Sequence, residues 1–275
     1  MRCSRLLLCA LALFAGATSA GAQTPPASAV ATTGPAVLLL RIDGAIGPAT
    51  AAHVQRGLQR AAELHAPLVV LQLDTPGGLD TAMRSIIKDI LASPVPVAAF
   101  VAPQGARAAS AGTYILYASH IAAMAPATTL GAATPVALGV LPLGGAEPAA
   151  SAPSGAAPQP HGTLEAKRIS DAAAYIRALA LQRGRNAEWA ERAVRESVSL
   201  PSSEALAQKV VDVIAADVPD LLRKLDGRVV ATGAGTRVVL ATAGAPVESF
   251  DPDWRGRLLA ALGVPSLAIL LMTIG

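Results

Sequence analysis

Gly105-Ala106-Arg107-Ala108-Ala109-Ser110-Ala111-Gly112-Thr113 follows the apolar run Pro96 to Ala102 and leads into Tyr114, Ile115 and Leu116. One hydroxyl stands among residues that carry almost no side chain. A strand that ends in Gly and small residues and turns straight into a helix presents such a serine with its Oγ unobstructed, and the next N–H, that of Ala111, points at the same reacting atom. Close packing of two helices would account for the small residues equally well if the cluster stood alone. Upstream, however, Leu71-Gln72-Leu73-Asp74-Thr75-Pro76-Gly77-Gly78 reads as a strand ending in a Pro-Gly-Gly turn ahead of a helix. Free N–H groups at such a turn stabilise an oxyanion.

Together, a Pro-Gly-Gly turn after one strand and an Ala-Ser-Ala-Gly elbow after the next resemble the ClpP class of serine peptidases. More narrowly, Asp74-Thr75-Pro76-Gly77-Gly78, the run Ala106 to Thr113 and Ala123-Met124-Ala125-Pro126 resemble the NfeD-type membrane-bound serine proteases, over a stretch from Val37 to Ala216. The resemblance implies an α/β, ClpP/crotonase-like fold with a repeated β-α-β core. It implies Ser110 as nucleophile, Lys167 as general base, the N–H groups of Gly78 and Ala111 as oxyanion donors, and Gly77 with Gly78 as substrate-binding backbone. No metal and no cofactor is implied. The expected substrate is an apolar segment of a stomatin-like membrane protein, cleaved without ATP on the periplasmic side of the inner membrane by a homodimer.

The residues themselves constrain the base. His is the usual proton acceptor for a serine, and the candidates are His53, His65, His120 and His161. Where ClpP carries a His-x-Pro-like segment, this chain has Ala133-Thr134-Pro135, so a ClpP-type triad is absent. His120 begins a strand that leads away from the elbow and reads as structural. His53 and His65 fall on the first helix, and His161 ends an irregular segment. A lysine can serve once burial has lowered its pKa, whereas arginine stays protonated. Only four of the 22 basic residues are lysines. Lys88 sits mid-helix beside Asp89 like a solvated side chain, Lys209 and Lys224 lie near the end of the domain, and Lys167 opens the helix after the irregular segment.

Along the chain, Arg2 and Arg5, the apolar run Leu6 to Ala17 and Ala20-Gly21-Ala22 read as a secretory signal peptide over residues 1–22, with a short membrane anchor as the rival reading, followed by a linker over 23–35. Both cysteines, Cys3 and Cys9, lie in this leader, which excludes a thiol nucleophile, disulfide or Cys-bound metal downstream. Losing the two leader arginines takes the formal net charge from +3 to +1, no basis for nucleic-acid binding. With 52% hydrophobic and 3% aromatic residues, the core has to be built from Val, Leu, Ile and Ala.

The protease-like domain spans 36–226. Strands are expected at Val37 to Asp43, Leu68 to Leu73, Pro96 to Ala102, Ile121 to Ala125 and Val210 to Ala216. Helices are expected at Pro48 to Leu64, Leu79 to Ala92, Ala109 to Tyr117, Leu164 to Gln182, Ala187 to Glu196 and from Ser202. This alternation predicts a mostly parallel sheet. Residues 137–162, rich in Pro, Gly, Ala and Ser, read as an irregular insertion beside the mouth of the site. Residues 227–257 read as a hairpin and juxtamembrane segment. The uncharged run 258–275, preceded by Trp254, Arg255 and Arg257, reads as the start of a transmembrane region. Two rival functions remain open: a crotonase-type acyl-CoA enzyme, and a catalytically silent scaffold for a stomatin-like partner.

Overall fold

A computed structural model of the chain describes residues 34–135 and 160–252, apart from Ala234, with residues 160–162 described by their backbone alone. In chain order the elements are β1 (Val37–Asp43), α1 (Pro48–Glu63), β2 (Val69–Asp74), α2 (Asp80–Ala92), β3 (Val97–Val101), β4 (Arg107–Ala109), α3 (Ala111–Ala118), β5 (Ile121–Met124) and β6 (Thr129–Gly131). There follow α4 (Pro160–Arg183), α5 (Ala187–Arg195), β7 (Ser199–Pro201), α6 (Ser202–Ala207), β8 (Val213–Ile214), α7 (Val218–Leu225), β9 (Val229–Ala231), β10 (Arg237–Val239) and β11 (Val247–Ser249). The main sheet has the order β11-β1-β2-β3-β5-β8, and every neighbouring pair in it is parallel.

A sheet that is covered on both faces needs strands that are apolar throughout. β3, Val-Ala-Ala-Phe-Val, is buried at every position, and the first four residues of β1 are buried too. One face of the sheet packs on residues of α1 through α5, the other on α7 and the β9–β10 hairpin. α1 starts on Pro48 at its first turn, where the missing N–H costs nothing. It lies close on β1 because Gly57 leaves room for Leu40. α3 is buried along its whole length. A helix covered on all sides has to be largely apolar all round, as Ala-Gly-Thr-Tyr-Ile-Leu-Tyr-Ala is.

Several sequence-based boundaries move. The helix expected from Ala109 starts at Ala111, because Arg107–Ala109 form the short strand β4 of a second sheet, β4-β6-β7, and Ser110 has φ 51°, outside any helix. The strand expected over Val210 to Ala216 contracts to Val213–Ile214, since the N–H groups of Val210 and Val211 bond back to Ala205 at the end of α6. Residues 160–162, assigned to the insertion, are helical backbone of α4. The segment read as hairpin and juxtamembrane region supplies the β9–β10 hairpin and also β11, which joins the main sheet beside β1. The signal peptide, most of the linker, residues 137–159 and the 258–275 run lie outside the described residues. Among the described residues no helix is long and apolar enough to cross a membrane.

Candidate active site

Two turns meet beyond the carboxyl ends of β2 and β3, the position at which open parallel sheets receive ligands. The first is Thr75 to Leu79. Thr75 is fully buried and extends β2 against β4, donating its N–H to the Arg107 carbonyl at 2.8 Å and accepting from the Ala109 N–H at 3.0 Å. Its Oγ1 accepts the Gly77 N–H at 3.0 Å, which closes the turn. The Ile46 N–H donates to the Gly77 carbonyl at 2.8 Å, and the Leu79 N–H returns a bond to the Ile46 carbonyl at 2.9 Å. Both glycines are required here. Gly77 has φ +113° and a methyl on it would lie 2.6 Å from Ser110 Cβ, while a methyl on Gly78 would overlap the Ile46 backbone.

The second turn is the serine elbow. Ser110, at φ 51° and ψ −117°, occupies a backbone region that costs a non-glycine residue on the order of 1–3 kcal/mol, strain that surrounding bonds have to impose. Its N–H donates to the Gly131 carbonyl at 3.0 Å and its carbonyl accepts from the Thr113 N–H at 2.9 Å. Thr113 Oγ1 accepts the Gly131 N–H at 3.1 Å and sits 2.8 Å from the Ala108 carbonyl, its acceptor. β4, the elbow and β6 are thereby one bonded unit. Gly112 completes it, since a methyl there would stand 2.6 Å from Thr75 Cγ2.

Ser110 is half-buried and its Oγ lies next to Gly77. Among the described residues no hydrogen bond claims the N–H of Gly78 or of Ala111. These two donors flank the serine from the first turn and from the start of α3, whose dipole adds partial positive charge. The far end of α3 is held equally firmly. The buried Arg185 guanidinium donates to the carbonyls of Leu116, Tyr117 and Ser119 and pairs with Asp212 at 2.7 Å. Arg183 Nε donates to the Ala118 carbonyl at 2.9 Å. Burial, reinforced by Arg185, brings Arg183 down to a pKa of about 10.

Placement of the candidate bases is equally definite. His120 is buried away from Ser110, its Nδ1 accepting the Val97 N–H at 3.1 Å. Desolvation, together with Arg183 and Arg185, lowers its pKa to about 3 and keeps it neutral, so it is structural as expected. His53 stacks on Phe250 at 5.4 Å, and His65 is exposed at the end of α1. Lys88 and Lys209 are exposed, and Lys224 is engaged with Asp220 and the Ile214 carbonyl. Lys167 lies in the third turn of α4 and is exposed, without a hydrogen bond to Ser110 among the described residues. The burial expected of a lysine base is therefore not supplied by the chain itself. Residues 163–168 are all exposed, and α4 first touches the core at the half-buried Ile169, ahead of the buried Ala172 and Ala173. Among the described residues no group of His, Cys, Asp and Glu has the size of a metal site.

Residues 36–139 match the family model described as NfeD1b, N-terminal domain. The membrane-bound protease PH1510 of Pyrococcus horikoshii is 35% identical over 242 residues, which are 87% of this chain and 51% of that protein. Among solved structures, a lysine-to-alanine mutant of the 1510-N membrane-bound stomatin-specific protease in complex with a substrate peptide is 33% identical, with a TM-score of 0.72 over 84% of this chain and 98% of that one. This chain belongs to the NfeD family. A serine-to-alanine mutant of the same protease superposes with a TM-score of 0.66 at 34% identity, over 78% of this NfeD-family chain and 96% of that structure. The α/β fold with its mostly parallel sheet is thus that of the 1510-N protease domain. The chain spans about half the length of the curated NfeD-family relative.

Three contributors to the site carried no role in the sequence reading: Thr75, Thr113 and Gly131. Thr75 had a readable signal, because a hydroxyl two residues before a glycine closes a turn of this kind. Thr113 and Gly131 did not, since their bond joins segments 18 residues apart.

Proposed function

We propose that this chain is the proteolytic part of a membrane-associated, ATP-independent serine endopeptidase of the ClpP/crotonase-like fold, with Ser110 as nucleophile and Lys167 as general base. The observation that carries the reading is the strained, half-buried Ser110 between two unclaimed N–H groups, those of Gly78 and Ala111. The solved relatives with a serine and a lysine replaced by alanine support a reaction that uses both residue types.

The neutral Lys167 amine takes the proton from Ser110 Oγ as the oxygen attacks the scissile carbonyl. The Gly78 and Ala111 N–H groups hold the resulting oxyanion. The amine then returns the proton to the leaving nitrogen, which releases one peptide and leaves an ester on Ser110. Water, deprotonated by the same amine, hydrolyses that ester and restores the serine. Because the chain leaves Lys167 exposed, an apolar peptide laid across the site supplies the desolvation the amine needs. Leu79, directly after Gly78, and Leu164, one turn before Lys167, are exposed apolar side chains suited to such a peptide. An apolar segment of a stomatin-like membrane protein is the substrate on this reading, and the peptidase faces the periplasmic side as a homodimer behind a cleaved signal peptide and ahead of a transmembrane region.

A fluorophosphonate probe tests the proposal against a silent scaffold. The wild-type chain is labelled and hydrolyses an apolar peptide, Ser110→Ala does neither, and Lys167→Arg, which keeps the charge and cannot accept a proton, loses roughly a thousandfold or more in rate. Wild-type rates in Lys167→Arg would refute the dyad, and absence of labelling in the folded wild-type chain would favour the scaffold.

A further inference from the structure

The strongest side-chain cluster outside the elbow lies at the start of α2. Arg84 stands one turn after Asp80 and bonds its carboxylate from Nε at 2.9 Å. Its Nη2 reaches across to Asp171 of α4 at 2.6 Å. The guanidinium carbon lies 4.5 Å above the ring of Tyr175, one turn further along α4. Tyr175 in turn stacks on Tyr114 at 6.2 Å. Tyr114 is one turn into α3 from Ser110, and its hydroxyl donates to the Ala133 carbonyl at 3.2 Å. Arg84 therefore joins α2, just after the glycine turn, to α4 directly, and through Tyr175 and Tyr114 to α3 and the strand-end after β6. Desolvation alone would lower the Arg84 pKa, yet Asp80 and Asp171 outweigh it and hold the pKa above its ordinary value.

Lys167 precedes Asp171 by four residues, so the two share a face of α4 about 6 Å apart along its axis. Ahead of Asp171, no side chain of α4 makes a hydrogen bond or ion pair among the described residues. The Arg84–Asp171 pair is thus the first polar tie of this end of α4 to the body of the domain, two residues after Ile169 makes the first apolar one. We infer that Arg84 is a positioning residue: by clamping Asp171 and Tyr175 onto α2 and α3, it sets where the Lys167 amine stands relative to Ser110. The inference rests on the Ser110–Lys167 reading given above.

The test uses the full chain with Arg84→Gln and Arg84→Lys, each in wild-type and Lys167→Ala backgrounds. Hydrolysis of an apolar peptide and the fluorophosphonate labelling rate of Ser110 are both measured. Arg84→Gln is expected to lower kcat and the labelling rate by roughly ten- to a hundredfold with KM little changed, as a displaced catalytic group does, and Arg84→Lys to fall in between. In the Lys167→Ala background the same change should alter the residual labelling rate by less than about twofold, because the group it positions is gone. An equal loss in both backgrounds would show that Arg84 acts on the serine or on the fold at large, and no loss in either would likewise overturn the inference. Should Arg84→Gln fail to fold, Asp171→Asn removes the same tie from the α4 side and is expected to give the same kcat-only loss. Wild-type labelling in Lys167→Ala alone would instead sink the dyad, and the role given to Arg84 with it.

Discussion

Replacing Gly77 by alanine adds one methyl at the tightest point of the site. Two costs are separable. An L-residue at φ +113° carries backbone strain on the order of 1–3 kcal/mol. The methyl would also stand 2.6 Å from Ser110 Cβ and 3.1 Å from its Oγ. Ordinary carbon contacts begin near about 3.5 Å, so the turn and the elbow must part by about 1 Å, an overpacking cost of about 1–3 kcal/mol more. Gly105→Ala is the matched control, since Gly105 has a similar φ of +86° and nothing within 4 Å of an added methyl. Urea unfolding should therefore show Gly105→Ala paying strain alone and Gly77→Ala losing about 1–3 kcal/mol beyond it. Because a misplacement of about 1 Å costs roughly a hundredfold in rate, fluorophosphonate labelling should fall by that order in Gly77→Ala and hardly change in Gly105→Ala. Labelling of Gly77→Ala within about threefold of its control would refute the contact between the glycine turn and the serine.

Two further outcomes concern the buried charges behind α3. Arg185→Met leaves several buried helix-end carbonyls unpaired and takes the cation from the half-buried Asp212, which keeps only the Ala122 N–H, so urea unfolding should show a loss of about 3–5 kcal/mol, and a loss under about 1 kcal/mol would contradict the cap. His120 has a folded pKa of about 3 against 6.5 ordinarily, so the unfolded chain binds more protons between those values and stability falls as pH drops through that window, by up to about 5 kcal/mol. His120→Gln should lose less stability between pH 7 and pH 4 than the wild type, by about 3 kcal/mol; equal acid sensitivity would show that His120 already titrates normally.

What could be read in the sequence was whatever rests on runs of like residues. β3 is apolar throughout, β1 opens on four apolar residues and β2 is broken only by Gln72 before its closing Asp74, and the Pro-Gly-Gly turn and the serine among alanines mark breaks between strand and helix. The short strands β4, β6 and β7 were not legible. Arg-Ala-Ala, Thr-Leu-Gly and Ser-Leu-Pro have no period of their own and are extended because neighbouring backbone groups demand partners. β11 was hidden for the same reason, as its partner β1 lies some two hundred residues earlier in the chain. Ser110 was identifiable because its surroundings are local. The setting of Lys167 was not, because it depends on Arg84, a residue in a different helix whose charge looks like any other surface charge in the sequence.

The complete burial of α3 has a consequence for how the two halves of the site move. Beyond its open first N–H, its amides are buried and the helix is fastened by Arg185 and Arg183 at one end and by the Gly131–Thr113 bonds at the other, so they exchange with solvent only when the whole domain opens. The exposed early turns of α4 make no such ties and exchange through local fraying, many times faster. Ser110 is thereby bolted to the frame, while Lys167 stands on exposed turns one turn ahead of the Arg84–Asp171 tie; on the proposed reading, that tie governs how often the two meet.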